Sequence, residues 1–153
     1  MVWWRMSHQE MTPLHFYERC EKWCPSVSSG CAKGVVKPLN TTVFSGQIWV
    51  FQQDSAPAHK AKTTQEWLRR NVPAFISAED WPSGSPDLNS LDYKLWAVLE
   101  DMTCRKRHNN LDSLKGSLLK AVAEIPLEMV RAAIAEWPEH LKDCRGAEGD
   151  HFE

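Results

Sequence analysis

An apolar run that leads into a carboxylate constrains this chain more than any other feature. Gln47-Ile48-Trp49-Val50-Phe51-Gln52 has a nearly continuous apolar centre, which predicts a strand buried on both faces. Gln53-Asp54-Ser55-Ala56 then turns the chain. Pro57–Arg70 follows as a predicted helix on which Ala58, Ala61, Gln65 and Leu68 share a face. Asn71-Val72-Pro73 stops that helix, and Ala74–Ile76 reads as a short strand. Strand, helix and strand in this order call for a mixed α/β architecture.

A second carboxylate is delivered differently. Trp81-Pro82-Ser83-Gly84-Ser85-Pro86-Asp87-Leu88-Asn89-Ser90-Leu91-Asp92-Tyr93 is a Pro/Gly/Ser-rich loop running into a predicted helix over Asn89–Thr103. Leu91, Leu95, Val98, Leu99 and Met102 line one side of it. Asn89 or Ser90 can cap it, which puts Asp92 in the first turn, where the helix dipole favours the ionised carboxylate. Asp87 is assigned to the turn leading into that helix. Leu111, Leu114, Leu118, Val122 and Ile125 predict a further helix capped by Asn110. Pro126 suits the first position of a last helix carrying Met129, Val130, Ala133, Ile134 and Trp137, which Pro138 kinks or ends. At the other end, Val2–Ser7 and Leu14–Tyr17 read as strands around a His8–Pro13 turn. Glu18–Gly34 shows no sustained periodicity, and Val35–Thr42 reads as a helix end or connector. The pattern is α/β with a C-terminal helical extension.

At 153 residues the length suits one domain with a real core. A net charge of −2 excludes a global basic field, so any DNA binding must come from a local patch or from metal-bridged phosphates. No apolar run has the length of a membrane span, and Met1-Val2-Trp3-Trp4-Arg5 is too soon charged for a signal peptide. Cytosol or nucleus is therefore expected, with no membrane partner. Five cysteines, an odd count, argue against a secreted disulfide scaffold. The spacing of Cys20, Cys24 and Cys31 with His15 fits no standard zinc site, which favours free thiols.

Phosphoryl transfer on DNA uses two divalent cations about 3.5–4 Å apart, and Mg²⁺ takes a few carboxylate oxygens while keeping several waters. Asp54 at a strand end and Asp92 on a capped helix suit that chemistry, although Asp54 also fits an ordinary turn role. Trp49, Trp67, Trp81 and Trp96 fit core or rim packing better than base-stacking platforms. His59 suits phosphate contact, ordering of the site or a helix start. Lys60, Lys62, Arg69 and Arg70 form either a phosphate-tracking stripe or a solvated helix face. Arg105, Lys106 and Arg107 make a basic cluster that suits DNA contact or nuclear import.

The blocks Gln52–His59 and Ser85–Tyr93 resemble two signature blocks of mariner-type transposases, DDE/D recombinases with an RNase H-like fold. The resemblance runs from about Val35 to Glu153 and more loosely over Val2–Tyr17. Asp54 and Asp92 are separated by 37 residues, similar to the lineages with that last interval and a third acid that is Asp. The resemblance implies that Asp54 is the second catalytic acid and Asp92 the third, both holding Mg²⁺ or Mn²⁺ for DNA cleavage and strand transfer. It implies DNA as partner, self-association or pairing with a full-length transposase, and a nuclear location. On this basis residues 1–34 are remnant strands with a degenerate segment, 35–107 a partial catalytic core, and 108–153 helices of the same domain.

Three departures shape the expectation of activity. In the family the first catalytic Asp ends a strand preceding the Trp-Trp strand, and the position matching it lies before residue 1, as do the family's helix-turn-helix modules. Glu18–Gly34 replaces an expected helix, and Ser90 stands where the family usually has Pro. The expectation is an incomplete RNase H-like fold lacking the first catalytic strand, an N-terminally truncated and inactive copy. The alternative is a non-enzymatic DNA-binding or transposase-interacting remnant, or a translation product with no selected role.

Overall fold

A computed structural model of the 153-residue chain describes residues 2–16, 43–44, 47–82 and 84–147. The expectations for Glu18–Gly34 and Val35–Thr42, with Cys20, Cys24 and Cys31, lie outside the described residues. In chain order the elements are β1 (Val2–Trp3), β2 (His15–Phe16), β3 (Val50–Phe51), α1 (Pro57–Lys60), α2 (Lys62–Asn71) and β4 (Ala74–Phe75). A 3₁₀ turn (Pro86–Leu88), a π-helical turn (Leu91–Leu95), α3 (Trp96–Cys104), α4 (Leu111–Glu124) and α5 (Leu127–Gly146) follow. They divide into two units, Arg19–Ser85 and a discontinuous one of Met1–Glu18 with Pro86–Glu153.

In the continuous unit β3 and β4 pair in parallel, Val50 opposite Ala74 and Phe51 opposite Phe75, with α1 and α2 as the crossover. Burial of β3 on both faces does not occur: Ile48 is 88% and Val50 61% exposed. Trp49 and Phe51 instead pack with Leu68 and Val72, so the apolar run alternates after all, with one face against α2. The predicted Pro57–Arg70 helix is interrupted. Ala61 is extended (φ −57°, ψ 133°) and divides it into α1 and α2. Side chains take up carbonyls near the break, Thr64 Oγ1 donating to Ala58 O (2.9 Å) and Gln65 Nε2 to His59 O (2.9 Å). Asn71 ends α2, its Nδ2 donating to Trp67 O at 2.8 Å.

In the discontinuous unit β1 and β2 form an antiparallel hairpin, Val2 opposite Phe16 and Trp3 opposite His15, extended by a Met6–Met11 bridge. The expected polar turn is closed by Ser7 and Glu10, with Ser7 N to Glu10 O at 2.8 Å. Trp4 and Leu14 from the hairpin join Leu95, Leu99, Ala121, Val122, Ile125 and Val130 in one core. The indole of Trp4, with its N–H donated to Thr12 O (2.9 Å), meets Trp96 edge-on at 5.6 Å between ring centres.

The apolar stripes of the π turn with α3 and of α5 fall where the periodicity places them, with Leu95 in the π turn, Leu99 on α3, and Val130 and Ala133 on α5 buried. Asn110 caps α4, accepting from Ser113 N at 2.8 Å. Leu111 departs from its stripe: it is 64% exposed, because the first turn of α4 precedes the part that packs, and Ala121 joins the buried face instead. Pro126 sits one residue before α5 as its N-cap, and Pro138 does not end the helix, which continues to Gly146.

Candidate active site

Asp54 lies three residues beyond β3, in the turn before α1. Its Oδ1 accepts from Ala56 N (2.9 Å), an Asx-type turn, and from Nδ1 of His59 (2.6 Å). The His59 hydrogen bond is the main cause holding the Asp54 carboxyl below its ordinary value; the Ala56 amide helps, and partial burial opposes. His59 is fixed in turn through its carbonyl, which accepts from Gln53 Nε2 (3.3 Å) and Gln65 Nε2 (2.9 Å). Buried Gln65 also accepts from Ala78 N at 3.3 Å, tying the corner to the segment after β4. Of the roles open to His59, the structure therefore displays ordering of Asp54.

Asp92 lies in the π-helical turn and is exposed. Its Oδ2 accepts from Asn89 Nδ2 (2.8 Å), and its amide donates to Asn89 O (2.8 Å). Asn89 Oδ1 accepts from Leu91 N at 3.2 Å, so Asn89 is the residue that gathers the start of the turn. Ser90 makes no capping bond; it is buried, with its hydroxyl 2.9 Å from the phenol of Tyr93. Asp87 occupies the 3₁₀ turn, as expected of a residue with a turn role. The π-helical opening has no counterpart in a simple amphipathic pattern, and π-turns recur at functional sites.

Both aspartates offer hard carboxylate oxygens on partly or fully exposed side chains, the donor chemistry that Mg²⁺ and Mn²⁺ take. Asp54 is also held in its ionised form, as a metal ligand requires. Among the described residues no group of three or more His, Cys, Asp and Glu side chains gathers as a metal cage.

The basic candidates are spread along the surface. Lys60, Lys62, Arg69 and Arg70 are exposed on α1 and α2, with Arg69 within 3.9 Å of Glu79. Arg105 pairs with Asp101 at the end of α3, and Lys106 and Arg107 are exposed beside it. The tryptophans pack: Trp81 is buried, Trp49 stacks on Phe44 at 5.0 Å, and Trp67 joins the Leu68 cluster. Sequence reasoning missed Gln53, Gln65, Tyr93 and Trp137. Gln53 and Tyr93 stand inside the two signature blocks, but neither Gln65 nor Trp137 carries a local signal.

No family model matches the chain. Among curated proteins it is 33% identical over 104 residues to the Tcb1 transposase of Caenorhabditis briggsae, covering 68% of this chain and 37% of that protein. It is 29% identical over 149 residues to the Tcb2 transposase of the same organism, covering 97% of this chain and 52% of the relative. The chain thus spans about half the length, or less, of these relatives. Its fold matches the catalytic domain of the Mos1 mariner transposase with a TM-score of 0.83 at 22% identity, covering 99% of this chain and 74% of that one. That domain has also been determined with Raltegravir and Mn or Mg, and Mos1 as a paired-end complex with Mn. The architecture matches the RNase H-like, mixed α/β fold of that domain. The homologues of this chain are Tc1/mariner-family transposases.

Proposed function

We propose that this chain is part of a metal-dependent module that cuts and joins DNA, with Asp54 and Asp92 as metal ligands. The observation that carries this reading is the Asp54 corner, where His59 Nδ1 at 2.6 Å and the Ala56 amide at 2.9 Å aim and ionise a carboxylate just beyond a strand. Asn89 orients the Asp92 carboxylate, its Nδ2 donating to Asp92 Oδ2 at 2.8 Å. Bound Mg²⁺ or Mn²⁺ would supply activation of a hydroxyl nucleophile and stabilisation of the leaving oxygen. Lys60, Lys62, Arg69 and Arg70 are the groups we assign to the DNA backbone, which implies work in the nucleus. Residues 1–153 by themselves carry the two matched acids, and we propose that this segment alone binds metal weakly and does not complete strand transfer.

The test is Mn²⁺ titration and DNA nicking with residues 1–153. Weak Mn²⁺ binding, reduced in both Asp54→Ala and Asp92→Ala, without nicking, is the expected result. Unchanged Mn²⁺ affinity in both variants overturns the ligand assignment, and nicking abolished by either variant overturns inactivity. A second reading, a DNA-binding module without chemistry, draws on the exposed basic side chains of α1 and α2. Salt-dependent DNA binding that survives the double substitution favours it.

A further inference from the structure

The turn carrying Asp92 is held by one face of a helix far along the chain. Ala133, Glu136, Trp137 and His140 recur at steps of three, one and three, so they share a stripe on α5. Each meets the Asp92 segment. Trp137 donates its indole N–H to Leu88 O at 2.9 Å, closing the 3₁₀ turn from outside. The Tyr93 phenol donates to Ala133 O, and its ring stacks on His140 at 4.0 Å with planes 11° apart. Lys94 pairs with Glu136. These contacts bracket Asp92 on both sides in sequence.

We propose that this stripe of α5 is a clamp that positions the Asp92 carboxylate, with Trp137 and Tyr93 as positioning residues. Asn89 orients the carboxylate locally, but Asn89 itself lies between Leu88, held by Trp137, and Ser90, held by Tyr93. A short 3₁₀ turn followed by a π turn lacks the continuous i→i−4 ladder that would fix it internally. Fixation therefore has to come from outside, and α5 supplies it. The inference rests on Asp92 being a metal ligand, as proposed above.

Trp137→Phe and Tyr93→Phe each remove one hydrogen-bond donor and keep an aromatic ring. Amide hydrogen exchange reads the clamp directly, because the Asp92 and Tyr93 amides both donate to Asn89 O, at 2.8 and 3.1 Å. Each variant is expected to speed exchange at these two amides about tenfold while the Val122 amide in α4 is unchanged. In parallel, Mn²⁺ alone is titrated into labelled residues 1–153 and broadening of the Asp92 amide signal is followed. The half-broadening concentration is expected to rise about three- to tenfold in each variant. Unchanged exchange, or acceleration only in step with Val122, overturns the clamp. Absence of Mn²⁺ broadening in the parent chain, or the same broadening in Asp92→Asn, overturns the metal-ligand reading and with it the purpose of the clamp.

Discussion

The two aspartates are held by opposite strategies. Asp54 is fixed from nearby: its partners Ala56 and His59 are two and five residues away in sequence. The Asp92 turn has a local partner in Asn89, but the hydrogen bonds from its flanks span 40, 42 and 49 residues. A corner built locally is carried intact by a short motif. A turn braced from a distance is set by residues that no short motif contains.

The comparison can be broken hardest at the core beneath Asp92. Leu95→Ala empties a fully buried position in the π turn, within a core that also draws on Trp4 and Val130, and should cost about 3 kcal/mol in chemical denaturation. A cost under 1 kcal/mol would mean that the Asp92 turn is not anchored by that distant core. Thr64→Val attacks the other side. It deletes the hydroxyl bonded to Ala58 O while preserving shape, and should cost about 1 kcal/mol, with exchange in α1 and α2 faster and the Asp92 amide unaffected.

The smallest effect concerns titration. Because the folded Asp54 carboxyl lies below its ordinary value, its contribution is present above the unfolded pKa of about 3.9 and is lost as pH falls through the folded value. His59→Phe should raise the Asp54 titration midpoint, read from the side-chain carboxyl resonance. With the Asp54 side chain 46% exposed, the stability cost at neutral pH should stay at about 0.5 kcal/mol or less. An unmoved midpoint would show that His59 does not set the ionisation of Asp54.

Much of the architecture was legible because it is local. The Asn110 cap, the stop at Asn71-Val72-Pro73 and the stripes of α3 and α5 all follow from spacing within a few turns. The errors share a cause. An apolar run cannot report how many neighbours a strand acquires, so Ile48 and Val50 looked buried and are not. The break at Ala61 depends on Thr64 and Gln65 side chains capturing carbonyls, and a helical face pattern reads straight through it. Among the candidate site residues, Asp54 and Asp92 stood out through their motifs, whereas Trp137 looked like one more apolar position on an amphipathic helix.

The discontinuous unit has a consequence for the order in which the protein is made. The β1–β2 hairpin leaves the ribosome before the other described elements, yet the residues that cover Trp4 and Leu14 include Ala121, Val122 and Val130, synthesised more than a hundred positions after Leu14. The segment with β3 and β4 is continuous in sequence and has no such wait. Nascent chains should therefore show a long interval in which the leading hairpin keeps its indoles in water, a window for chaperone capture that closes only with translation of α5.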